Sequence, residues 1–140
     1  MLRSLILLFS FSFLFGSCST KECCVYPELA EFHGEWELVK VVNGFAQLEW
    51  EGDEIPYKET LIINGETGTI TFQRDDVAAE ISAIEIKVEG GNDAIILKDW
   101  NEYQWYWFDE SEGKTQLVLY QRAPLSAILA DGSNFYYSKK

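Results

Sequence analysis

Few residues in this chain have side chains suited to chemistry, and their spacing limits what they can do. There is one histidine, His33, so a His-based zinc site or a nucleophile–histidine pair would have to use it. The cysteines are Cys18, Cys23 and Cys24, and the body of the chain from Tyr26 onward has none. No disulfide can therefore staple that body, and no thiolate can serve it as nucleophile or metal ligand. Carboxylates cluster at Asp75-Asp76 and at Asp109-Glu110 with Glu112. Oxygen ligands suit Ca²⁺, but neither run has EF-hand spacing, and solvated turns are the plainer reading. Nothing singles out a carboxylate pair for hydrolysis, and there is no nucleophile elbow or Gly-rich phosphate loop. The expectation is a structural or surface His33, no metal, no cofactor and no enzymatic activity.

The aromatic residues are more informative. The five tryptophans are Trp36, Trp50, Trp100, Trp105 and Trp107. Tyr103, Trp105 and Trp107 recur at period two, which places them on one face of an extended strand. Two readings stay open. Rigid aromatics can line an apolar pocket, with Trp N–H and Tyr O–H groups as polar handles, or they can fill a core that has no disulfide. Phe45 and Trp50 fall in a long acidic segment, 43–56, and serve either as a lid or as a partner contact.

The elements that must position these rings are short strands. Apolar and polar residues alternate in runs broken by turn signals about every ten residues, which indicates an antiparallel sandwich or barrel. Strands are expected at 34–42, 58–63, 69–73, 80–88, 94–99, 103–108, 115–120 and 135–138. The alternation slips at Val39-Lys40, where a bulge is expected. Asn64-Gly65, Gly90-Gly91-Asn92 and Asn101-Glu102 mark turns, and 124–130 is either one helical turn or a plug-like loop. No long helical period, internal repeat or low-complexity linker is present. The fold class expected is all-β, an antiparallel eight-stranded up-and-down barrel. Such a barrel leaves no open edge and encloses room for side chains or one small ligand. Alternation gives Trp36, Leu38, Phe72, Ile86, Leu97, Trp105, Trp107, Leu117 and Tyr137 as its lining and as candidate ligand-binding residues. A one-residue slip would reverse any of them.

The N-terminus carries a different signal. Met1 to Ser4 hold one positive charge, at Arg3, and 5–15 is an uncharged, proline-free run of apolar residues and serine. At about eleven residues it has the length of an export-signal core and falls short of the roughly 20 needed to span a bilayer. Phe15-Gly16-Ser17-Cys18 resembles a bacterial lipobox, in which small residues precede a cysteine whose sulfur is alkylated by a diacylglyceryl group. The resemblance implies cleavage after residue 17 and a lipid-bearing N-terminus at Cys18. The alternative is an ordinary secretory signal with Cys18 incidental. With several acyl chains, at about 0.8 kcal/mol per buried CH₂, the tether would be durable. Ser19 after the cysteine resembles the Gram-negative signal for the outer membrane. The organisation expected is a signal peptide at 1–17, a flexible tether at 18–30 and a barrel domain at 31–140.

The whole chain has a net charge of −12, and removing the signal, whose one charged residue is Arg3, makes it more acidic by one. Such a charge repels nucleic acid and anionic lipid headgroups; it is either a solubility excess or a match for a basic protein partner.

Gly34-Glu35-Trp36, the Trp36/Leu38 pairing and the Asp131-Gly132…Tyr136-Tyr137 ending resemble the compact lipocalin-like domains of Bacteroidetes lipoproteins, over about residues 31–140. The resemblance implies that Trp36 plugs the closed end of the barrel beneath a basic residue of the last strand, Lys139 or Lys140. The function expected is a lipid-anchored, non-enzymatic envelope protein that takes a small, partly apolar ligand at its open end. The runner-up is a protein-interaction module, such as an acidic inhibitor of a basic exported enzyme.

Overall fold

Alternating apolar residues bury one face of each strand, and the resulting sheet wraps until its first and last strands meet. The computed structural model describes residues 24–140. The export-signal reading, the lipidation site Cys18 and Cys23 lie outside the described residues. Ten strands form: β1 (Gly34–Asn43), β2 (Leu48–Glu51), β3 (Glu59–Asn64), β4 (Thr69–Arg74), β5 (Glu80–Glu89), β6 (Asn92–Leu97), β7 (Glu102–Asp109), β8 (Gln116–Tyr120), β9 (Ala123–Pro124) and β10 (Ser133–Lys139). Eight of them close the expected antiparallel up-and-down barrel, in the order β1-β3-β4-β5-β6-β7-β8-β10, with β10 returning to pair with β1. The segment 43–56, expected as a loop, instead contributes β2, which folds back as a hairpin on β1 with Lys40 opposite Glu51 and Asn43 opposite Leu48. Among the described residues, no helix is long and apolar enough to cross a membrane.

Turn chemistry sets the connections. Asn64 accepts the Glu66 and Thr67 amides through its Oδ1 between β3 and β4. Gly90 and Gly91, at φ 61° and 87°, reverse the chain between β5 and β6, a geometry in which a Cβ is strained. The bulge expected near Val39 is present: the β1–β10 register shifts between Leu38, opposite Tyr137, and Lys40, opposite Tyr136. It changes the inward parity of β1, so Trp36 and Leu38 are buried before it and Val41 after it.

The barrel core is continuous. Trp36, Leu38, Leu61, Ile63, Ile70, Phe72, Ile84, Ile95, Leu97, Leu117, Leu119 and Tyr137 are buried in it, and Ile86 packs half-buried against it. One end is sealed by the entering chain. A 3-10 turn at Pro27–Leu29 brings Leu29 and Phe32 into the core. The tether reading of 18–30 is corrected here: packing begins at about Tyr26, whose amide donates to the Gly65 carbonyl. The Phe32 ring meets Tyr106 edge-on at 4.9 Å and Phe108 at 5.2 Å, and the Trp36 ring lies 6.2 Å from Phe108. Trp36 donates its indole N–H to the Phe32 carbonyl at 2.7 Å, so its one polar atom is satisfied in the plug. Lys139 Nζ lies 5.1 Å from the Trp36 ring centroid.

Two expected lining residues are corrected. Trp105 and Trp107 point out of the barrel, because the inward positions of β7 are Gln104, Tyr106 and Phe108. A second, smaller core explains why aromatic residues occupy that outer face. The segment 121–130, neither helix nor plug, lies across β6 and β7. It is pinned by β9 pairing with Glu102 and Tyr103 and by the Tyr103 hydroxyl donating to Ala127 O at 2.8 Å. Its Ala123, Leu125 and Leu129 pack there against Ala94, Ile96, Tyr103 and Trp105. Trp105 stacks on Tyr120 and donates to the Glu89 carbonyl, whereas Trp107 is 41% exposed.

Candidate functional site: the barrel mouth

At the end opposite the plug, inward positions turn from apolar to polar. Along β3 the buried residues run Ile63, Leu61, Glu59; along β4 they run Ile70 and Phe72, and then Arg74, half exposed, ends the strand. Glu59 and Arg74 stand directly opposite each other in the β3–β4 register. Glu59 is only 5% exposed, and a carboxylate taken out of water needs a partner. Arg74 supplies it, with Nε at 2.8 Å and Nη2 at 2.7 Å from Glu59 Oε2. The Tyr137 hydroxyl, coming from β10, donates to Glu59 Oε1 at 2.5 Å. Burial, and then the Glu59 charge, push the Tyr137 phenol well above its ordinary pKa, so it stays a donor. The Arg74 guanidinium lies 3.9 Å from the Tyr57 ring centroid. Two hydrogen bonds and an ion-pair contact thus hold the Glu59 carboxylate as a fixed wall.

β7 contributes Gln104, which is 4% exposed. Its amide nitrogen donates to the Tyr120 carbonyl at 2.8 Å, and its Oε1 has no partner among the described residues. Across the mouth, Arg122 pairs with Glu80 at 3.0 Å, and its guanidinium lies 4.2 Å from the Phe72 ring and 4.6 Å from that of Trp100. Glu59, Arg74, Tyr137, Gln104, Glu80, Arg122 and Phe72, with Phe135, Val77, Ala78 and Gln121, line a cleft of about 340 Å³. That is the low end of the range for small-molecule sites, which combine apolar walls with a few placed polar groups. The charged residues of the lining are Glu59, Glu80, Arg74 and Arg122, paired two by two. The cleft is therefore neutral within a strongly acidic chain.

A larger groove, about 540 Å³, lies on the outer face around Lys40, Glu51, Asp109, Gln116 and Tyr136. It is lined by partly or fully exposed residues, with Lys40 bound to both Glu49 and Glu51, and it holds no buried polar side chain. The mouth is the better site on physical grounds.

Of the residues expected to line a ligand pocket, Phe72 and Tyr137 wall the cleft. Trp36, Leu38, Leu97 and Leu117 are buried in the core below it, Ile86 packs at the core's margin, and Trp105 and Trp107 are outside. Glu59, Arg74, Gln104 and Arg122 were missed. Glu59 and Arg74 could have been found by carrying the parity of β3 and β4 to the strand ends, whereas Gln104 was hidden because the expected inward face of its strand was that of Tyr103, Trp105 and Trp107. Arg122 has no such signal, because it follows the end of β8.

His33 is part-buried and accepts the Gly65 amide at Nδ1, at 2.9 Å, which fixes a turn. Asp75 accepts the Lys58 amide and Asp109 accepts from Ser111, so both acidic runs sit in turns. Among the described residues, no group of three or more His, Cys, Asp or Glu is placed to hold a metal ion. No family model matches the chain, and searches of curated proteins and of solved structures return no match.

Proposed function

We propose that this chain is a lipid-anchored, non-enzymatic, lipocalin-like protein of the bacterial cell envelope that binds a small, partly apolar ligand in the mouth of its barrel. The observation that carries the reading is the contrast within the interior: side chains fill the barrel below Phe72, and a neutral cleft with buried polar walls opens above it. The anchor rests on the N-terminal sequence alone, with Cys18 as the acylated residue and the outer membrane as the destination. Two experiments test these parts separately. Trp100 stands at the rim, 6.1 Å from Phe72, so ligand entry changes its fluorescence. Titration of the soluble form beginning at Ser19 with small apolar compounds is expected to give a saturable change, and its absence across the panel overturns the binding reading. Incorporation of labelled palmitate is expected in the native precursor and not in Cys18→Ser; equal labelling overturns the anchor.

A second reading draws on the β1–β2 hairpin. Phe45 is 83% exposed at its tip, while Trp50 packs against the core, beside an acidic run from Glu49 to Glu54. An apolar tip on an acidic arm suits a basic protein partner. A pull-down at low and high salt separates this reading, since such a complex weakens with salt and a small apolar ligand does not.

A further inference from the structure

Gln104, a residue of the mouth lining, carries a buried polar atom that the described residues leave unsatisfied, and this narrows the ligand class. Its meaning depends on the mouth being a binding site, as proposed, and it deepens that reading by naming the chemistry recognised. The Tyr120 carbonyl can only accept, so the Gln104 atom facing it is the amide nitrogen, and the other atom, Oε1, is an acceptor. It is buried on a residue 4% exposed and has no protein donor among the described residues. Leaving a buried acceptor unmatched is costly, and such atoms are rare in folded chains. Among the described residues, Asn134 Oδ1 is the other buried atom of this kind, but Asn134 borders none of the cavities described, whereas Gln104 lines the mouth.

The rest of the lining fixes the remainder of the molecule. Phe72, Phe135 and Val77 offer apolar contact. Both arginines are matched by carboxylates, so a charged ligand would lose its hydration with no counter-charge waiting. The cleft's volume of about 340 Å³ suits a body of one or two rings. We infer that the mouth takes an uncharged, ring-sized molecule that carries a hydroxyl or N–H group, and that Gln104 Oε1 accepts the hydrogen bond from that group.

The test uses the full chain in nanodiscs, with empty nanodiscs subtracted, and two probes read by fluorine NMR. 4-Fluorophenol carries the donor; 4-fluoroanisole keeps the ring and the oxygen and lacks the donor. The phenol is expected to bind saturably and roughly tenfold more tightly than the anisole, the scale of one buried hydrogen bond. Gln104→Met, which keeps the length and removes the acceptor, is expected to abolish that preference. If the two probes bind alike, the cleft binds ligands but Gln104 does not select a donor, and this inference alone is overturned. A preference that survives in Gln104→Met overturns it as well, because another acceptor is then reading the hydroxyl. Saturable binding by neither probe overturns the inference together with the binding reading. The wild-type comparison stands on its own if the variant does not fold.

Discussion

The two ends of this barrel use the same inward positions for opposite purposes. At the plugged end, Phe32, Trp36, Tyr106 and Phe108 meet ring against ring, and the one indole N–H is satisfied by a carbonyl of the entering chain. At the mouth, Glu59, Arg74, Tyr137 and Gln104 take the equivalent places and are held by directional bonds. Burial alone does not distinguish the ends, since Trp36 and Glu59 are both nearly inaccessible. The difference is in reach. The plug residues are surrounded by apolar neighbours, whereas Glu59 has a cross-strand arginine close enough to neutralise it. A barrel can therefore carry charge inward where the register supplies a partner, and it leaves space there because charged groups do not interdigitate as hydrocarbons do.

Substitutions at each end sharpen that contrast. Trp36→Ala removes the largest plug side chain and is expected to destabilise the fold by about 3–5 kcal/mol in urea denaturation, the scale of a large core aromatic. Arg74→Ala strands the buried Glu59 carboxylate and is expected to cost about 3 kcal/mol, more than Glu59→Gln, because the Arg74 side chain is 47% exposed and can be rehydrated. If Glu59→Gln proves the more damaging, the arginine was not neutralising a buried charge.

Tyr137→Phe is expected to cost about 2 kcal/mol at pH 8, for one hydrogen bond to a buried carboxylate. It also has a pH signature. Burial and the Glu59 charge raise the Tyr137 phenol above the ordinary 10.0, so the unfolded chain releases this proton first. The stabilisation is complete below about pH 10 and is lost as pH climbs beyond it; Tyr137→Phe is expected to flatten that alkaline decline, followed as denaturation midpoints from pH 8 to 11. Glu80→Gln breaks a pair whose carboxylate is 58% exposed and is expected to change stability by under about 1 kcal/mol. Phe45→Ser, at an exposed hairpin tip, is expected to change it by no more than about 0.5 kcal/mol.

Much of the architecture was legible because one periodicity governs it. The alternation in β3, β4, β5 and β8 and the slip near Val39 translate directly into faces and a bulge. β7 was not legible in this way. Tyr103, Trp105, Tyr106, Trp107 and Phe108 put aromatic residues on both faces, and only the segment that folds over the outside, beyond β8, gives Tyr103 and Trp105 an apolar cover. β2 was hidden because its four residues, Leu48–Glu51, alternate on a hairpin that buries little. The mouth was hidden because a single glutamate at a strand end reads as the start of a loop; only its cross-strand neighbour shows that it points inward.

The irregularity between Leu38 and Lys40 makes β1 a strand whose register matters more than its composition. Val39 is the extra residue that lets the chain keep an indole inside at one level and an isopropyl group inside three positions after Leu38. Drawing the bulge out into regular pairing, with every residue retained, would rotate the second half of the strand by half a turn. The ammonium of Lys40 would then enter the dry interior and Val41 would face water. Losing Val39 itself would instead keep both faces as they are, so what the extra residue contributes is the local bend and twist of β1.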